Sequence, residues 1–176
     1  MDNFCEQLVA KKRTGADIAK IVLTLLGSML LGSAVIYFAL ISVFLVLILG
    51  GMIIIGLGAW IAAGFGVEYE YIVTNNEMDI DKILGKRKRK RMITVDLTRA
   101  VAFEPYTGQD DQDTEADVIV QASTGTEEDA YCLVCEHNDY GKVKVIFNPN
   151  ERTRDSIIQE LPRLLKQKVN DNGKIS

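Results

Sequence analysis

The chain is poor in the residues that most often carry chemistry. It has three cysteines, Cys5, Cys132 and Cys135, and one histidine, His137. Three thiols make no disulfide framework, so the fold needs no oxidising compartment. A single histidine excludes a histidine pair for acid–base work. The sequence also lacks a phosphate-cradling Gly-rich loop and a G-x-S-x-G elbow. Charge is missing altogether from Ile21 to Val67, 47 successive residues. Ion and proton pathways usually need an ionisable group inside the apolar region, so transport by this chain alone is not expected. The absences together predict a non-enzymatic protein with no cofactor and no metal.

Beyond the uncharged block, charge is dense. It comprises 16 basic and 21 acidic residues, and the excess of acid argues against a nucleic-acid partner. The block itself is too long for one membrane span. As one helix it would reach about 70 Å at 1.5 Å per residue, whereas the hydrocarbon core is about 30 Å. Two spans with a tight turn fit, near Ile21–Leu40 and Val43–Gly64. Ser42 is the central polar residue at the turn, and Gly50-Gly51 is a rival site that would divide the block unevenly. Reading Gly32-Ser33-Ala34 as a signal-cleavage site is disfavoured, because more apolar sequence follows at once.

Flanking cations set the orientation. Lys11, Lys12, Arg13 and Lys20 precede the block, while Lys82 and Lys86–Arg91 follow it. A hairpin keeps both basic flanks, and both termini, on the cytoplasmic side of the inner membrane. Within the spans, Ser28 with Gly32 and Gly58 with Ala62 stand at helical spacing, where small residues let helix backbones approach.

Alternation starts directly after the second span. Val67, Tyr69, Tyr71 and Val73 share one face of a strand, with Glu68 and Glu70 on the other. Asn75-Asn76 signals a turn. Further strands are expected at Met78–Ile80, Ile93–Leu97, Val101–Phe103, Asp117–Ser123, Ala130–His137 and Lys142–Asn148. The stretch 107–117 is polar and acidic, and its role is open. Asn148-Pro149-Asn150-Glu151 reads as a helix start, with Asn148 at the N-cap, Pro149 at the first helical position and Glu151 at the third. A helix with an apolar stripe of Ile157, Ile158, Leu161, Leu164 and Leu165 follows, interrupted at Pro162.

The expected class is therefore an α+β membrane protein. A transmembrane helix hairpin precedes an antiparallel β-barrel or sandwich of about seven strands, closed by a C-terminal amphipathic helix. The expected boundaries are 1–20 for a cytosolic N-terminal segment, 21–66 for the hairpin, 67–170 for the β domain and 171–176 for a frayed tail. The order of elements, with Tyr69-Glu70-Tyr71-Ile72-Val73-Thr74-Asn75-Asn76-Glu77, a basic turn and Ile93-Thr94-Val95-Asp96-Leu97, resembles the bacterial membrane-anchored PH-like (pleckstrin-homology-like) domain families. The resemblance covers Glu68 to Asn148 and, by architecture, the helix pair. It implies a PH-like fold.

Several residue groups invite a functional reading. Cys132-Leu133-Val134-Cys135 is a C-x-x-C, but on a strand residues i and i+3 point to opposite faces, so the thiols should diverge. Cys5 lies close enough to the membrane for lipidation. Asp110, Asp111, Asp113, Glu115 and Asp117 lack the glycine and terminal glutamate of a calcium loop. The strongest candidate is the run Lys86, Arg87, Lys88, Arg89, Lys90 and Arg91. If the first strand leaves the membrane for about 27 Å and the second returns, this run comes back to an anionic leaflet, where each cation gains about 1 kcal/mol. The sequence thus points to a membrane-anchored scaffold at the inner face of the cell membrane, contacting anionic lipid or protein. The alternative is an accessory subunit of a larger membrane complex assembled through the hairpin. The lipid bilayer is the expected partner, with other membrane proteins or a second copy beside it.

Overall fold

The structure is a computed structural model and describes residues 4–42, 46–108, 116–125 and 129–172. The chain divides into two compact units. One holds 1–12, 68–83 and 88–176, and the other holds 13–67 with 84–87.

The second unit is built on two apolar helices, α1 (Gly15–Ser42) and α2 (Val46–Ala62), with a single 3-10 turn at Ala63–Phe65. Thr14 and Asp17 start α1 with a reciprocal cap: Thr14 Oγ1 accepts from the Asp17 amide, and Asp17 Oδ2 accepts from the Thr14 amide. Residues 43–45, between the two helices, where the turn is expected, lie outside the described residues. Gly50-Gly51, the rival turn, is inside α2. Both helices are long and apolar enough to cross a membrane, and most of their surface is uncovered by protein.

Among the described residues, the first unit contains eight strands in two four-stranded sheets. The first sheet has the order β1 (Phe4–Ala10), β2 (Val67–Thr74), β3 (Glu77–Leu84), β4 (Lys88–Asp96). The second has the order β5 (Ala100–Pro105), β7 (Tyr131–His137), β8 (Gly141–Phe147), β6 (Val118–Gln121). The inner faces meet in an apolar core. Tyr71, Val73, Met78, Ile80, Val95 and Leu97 come from the first sheet side, and Leu133, Val143, Val145 and Phe147 from the second. The rings of Tyr71 and Phe147 pack edge to face, 5.4 Å between centroids. Helix α3 (Glu151–Glu160) starts at Asn150, whose side chain accepts from the Thr153 amide, and stops at Leu161, before Pro162. Helix α4 (Arg163–Asn172) then begins anew.

Three expectations are corrected. The described residues hold eight strands, one more than the seven expected, and of the expected barrel or sandwich the sheets form an open pair and not a closed barrel. The extra strand is β1, in a stretch too short and too mixed to announce itself: Glu6 and Gln7 interrupt its apolar residues. It pairs along its whole length with β2, from Phe4 opposite Thr74 to Ala10 opposite Glu68. The strands are not all antiparallel, because β6 runs parallel to β8. Alternation along a strand reports which side chains are buried and is silent about the neighbouring strand. The run expected as a basic turn is mostly strand, since Lys88–Arg91 open β4.

Candidate functional site

The turn that carries the basic run is two residues long. Gly85 and Lys86 both have positive φ, 57° and 58°, and the Arg87 amide donates to the Leu84 carbonyl at 3.0 Å. This is the hairpin geometry that matches strand twist. Glycine is required at position 85 for a second reason. A Cβ there would lie 2.8 Å from the Gly64 Cα, and the Gly85 amide donates to the Gly66 carbonyl at 2.7 Å. The tip of the turn is thereby seated on the chain that leaves α2. Arg87 follows from this docking. Its guanidinium carbon lies 4.4 Å from the Trp60 ring centroid, and Nη1 donates to the Trp60 carbonyl at 3.4 Å.

The other two arginines of the run have a different environment. Arg89 pairs with Glu70, and its Nε is 3.6 Å from Asp81. Arg91 pairs with Asp81 at 2.7 Å and with Asp79 at 2.8 Å. Thr94 donates to Asp79 at 2.6 Å. The side chains of Glu70 and Asp81 are almost wholly buried, while the arginines are half exposed. The Asp81 carboxylate, first by hydrogen bonding, holds the Arg91 guanidinium above its ordinary pKa. The six cations do not form one patch. Arg89 and Arg91 neutralise buried carboxylates of β2 and β3, Arg87 covers a ring, Lys86 occupies the turn, and Lys88 and Lys90 are exposed in β4. The signal for this division is present in the sequence as Glu70, Asp79 and Asp81, but pairing it with the arginines needs the strand register.

Arg91→Gln leaves the buried Asp81 carboxylate with Arg89 alone, at the longer distance. Loss of a buried pair costs about 3–5 kcal/mol, and with one arginine retained about 2 kcal/mol is expected. Urea unfolding of the β domain within the full chain, in mild detergent, measures it. An unchanged midpoint would mean that the pairs are ordinary surface contacts.

In the helix pair, the small residues make the contact. Gly32 stands against Gly51, so that a Cβ on Gly32 would fall 2.8 Å from the Gly51 carbonyl oxygen. A Cβ on Gly58 would collide with Ser28 Oγ, and Ala62 is buried. Gly51 was missed as a packing residue because Gly-Gly reads as a turn.

The remaining groups are structural. Cys5 is buried with Sγ 3.4 Å from the Thr153 hydroxyl, so the thiol offers no site for acylation. Cys132 and Cys135 are buried and form no disulfide. Burial, and secondarily Asp96, pushes the Cys135 thiol up to about 11, which keeps it protonated at neutral pH. Of the acidic stretch, Asp110, Asp111, Asp113 and Glu115 lie outside the described residues, while Asp117 accepts from the Lys142 amide at 2.8 Å. Among the described residues, no group of three or more His, Cys, Asp or Glu side chains is placed to hold a metal ion.

An open cleft of about 330 Å³ lies beside β1, lined by Gln7, Lys12, Thr124, Asp129, Asn148 and Asn150 among others. Much of its polar lining is bonded internally. Gln7 accepts from the Asn150 amide and donates to the Asn148 carbonyl, and Asn148 Oδ1 accepts from the Thr124 amide. Sequence reading missed this cleft because it depends on β1.

A PH-like domain is in general a non-catalytic interaction module. No curated protein and no solved structure matches the chain. The family profile described as bacterial PH-like domain (DUF6106) matches residues 1–167, and the chain belongs to that family.

Proposed function

We propose that the protein is a membrane-anchored, non-enzymatic PH-like module, a scaffold at the cytoplasmic face of the inner membrane. The observation that carries this reading is the register of β1 with β2. Ala10 faces Glu68, so the chain leaves the sheet and re-enters it at neighbouring points. Everything between is the helix pair. A membrane hairpin inserted between paired strands has both flanks on one side, and both flanks are basic, with Lys11, Lys12 and Arg13 before and Lys82 and Lys86 after. Both termini are then cytoplasmic. Fusing a reporter active only in the cytoplasm to each end in turn should give signal from both. Signal from one end alone would defeat the hairpin.

A second reading, the accessory subunit, is favoured by three glycines. Gly27, Gly50 and Gly56 have open space where a Cβ would stand, in contrast to the occupied Gly32 and Gly51. Such positions admit the close approach of another helix. Purification in mild detergent separates the readings: a stoichiometric membrane protein retained with the chain favours the subunit.

A further inference from the structure

We infer that Trp60 and Arg87 form a headgroup-level site for the phosphate of an anionic membrane lipid. The inference deepens the membrane-anchored reading and rests on it. Trp60 is the only tryptophan in the chain and lies two residues before the end of α2, with its side chain largely exposed. Tryptophan at the end of an apolar helix sits at the membrane–water interface, where its amphipathic ring is at headgroup depth.

Arg87 is brought to that depth by the turn. The seating of Gly85 on Gly64 and the Gly85–Gly66 hydrogen bond fix the backbone next to Arg87 against the chain leaving α2. The guanidinium is therefore preorganised. A guanidinium has five N–H donors, and one goes to the Trp60 carbonyl. The ring covers one face. No carboxylate pairs with Arg87 among the described residues, in contrast to Arg89 and Arg91. What remains is the planar edge of an uncompensated cation, the geometry that accepts phosphate oxygens in pairs. A lipid supplies the phosphate together with an acyl chain for the apolar helix face below Trp60, whereas free phosphate supplies only the anion.

The single tryptophan also makes the test direct, because its fluorescence reports this position alone. The full chain is reconstituted in bilayers of equal parts anionic and neutral phospholipid, with acyl chains brominated near the headgroup on one lipid or the other. A cation at a leaflet gains about 1 kcal/mol, so anionic lipid should be enriched about fivefold beside Trp60 and its brominated form should quench correspondingly more. Added inorganic phosphate should not reverse the difference. Arg87→Gln should bring the two brominated lipids to equal quenching, while Lys90→Gln, the same charge change on an exposed strand residue, should leave the difference intact. Equal quenching in the parent overturns the site, as does an equal fall in both variants, which would mean a diffuse surface field. Reversal by phosphate would replace the lipid with a soluble anion and overturn it too. If neither lipid quenches, the membrane reading itself fails.

Discussion

A protein comprising only Glu68–Val169 should fail to fold stably, whereas the same residues with β1 restored should fold. β1 supplies the edge of the first sheet, paired with β2 from Phe4 opposite Thr74 to Ala10 opposite Glu68. Its Cys5 is buried against Thr153 of α3, and Gln7 ties the chain to Asn148 and Asn150. Without it, one side of β2 loses its ladder, and buried Tyr69, Tyr71 and Val73 lose a covering neighbour. A loss of more than about 5 kcal/mol is expected, comparable to the whole stability of a small domain. The restoring variant follows from the same register. Paired residues in antiparallel strands are about 5 Å apart, so a short Gly/Ser loop can join Lys12 to Val67 in place of the helix pair. Urea unfolding compares the two soluble proteins. A cooperative transition at the same midpoint in both would mean that β1 is dispensable.

The second large effect is expected at Leu161. This residue ends α3 in an extended conformation, with its amide donating to the Ile157 carbonyl at 3.2 Å, and is only 2% exposed. Because Pro162 follows, the chain cannot continue the helix and carry the side chain away from the core. Leu161→Asp places a carboxylate among apolar neighbours with no cation provided for it. The cost is about 4 kcal/mol or more, since burying an unpaired charge is among the few changes with effects this large. Leu161→Ala, which removes volume without adding charge, should cost about 2–4 kcal/mol. Thermal unfolding of the full chain in detergent, followed by circular dichroism of the β domain, checks both. If the Asp variant melts like the parent, α3 does not depend on this contact.

Much of the architecture is legible in the sequence because it follows from one-dimensional patterns. An uncharged run of 47 residues is too long for one span, and the structure divides it into two apolar helices, α1 ending at Ser42 and α2 starting at Val46. Period-two alternation gives β2 and β8 nearly to the residue and locates β3 without its last residues, Lys82–Leu84. The start of α3 is announced only to within two residues: the pattern puts the cap at Asn148, whose side chain instead accepts from the Thr124 amide, and Asn150 caps Thr153; its interruption is announced by Pro162. The resemblance to bacterial PH-like domains rests on the same order of elements.

Other features depend on residues distant in the chain. Glu6 and Gln7 break the alternation of β1, whose strand character comes from the waiting edge of β2 and from the partners that Asn148 and Asn150 give to Gln7. Lys86–Arg91 reads as a single cationic cluster because the eye sees adjacent letters. Folding brings Glu70, Asp79 and Asp81 beside Arg89 and Arg91, and Trp60 beneath Arg87. Charge in water favours a solvated run, whereas burial of Glu70 and Asp81 requires cations to accompany them. By itself, then, the sequence determined where the chain is apolar, where it alternates and where it turns, since solvent transfer and backbone preference act locally. Only the tertiary structure decided that Phe4–Ala10 completes a sheet and that one arginine of the run is left with a ring instead of a carboxylate, because strand pairing and charge compensation act between residues that are far apart in the chain.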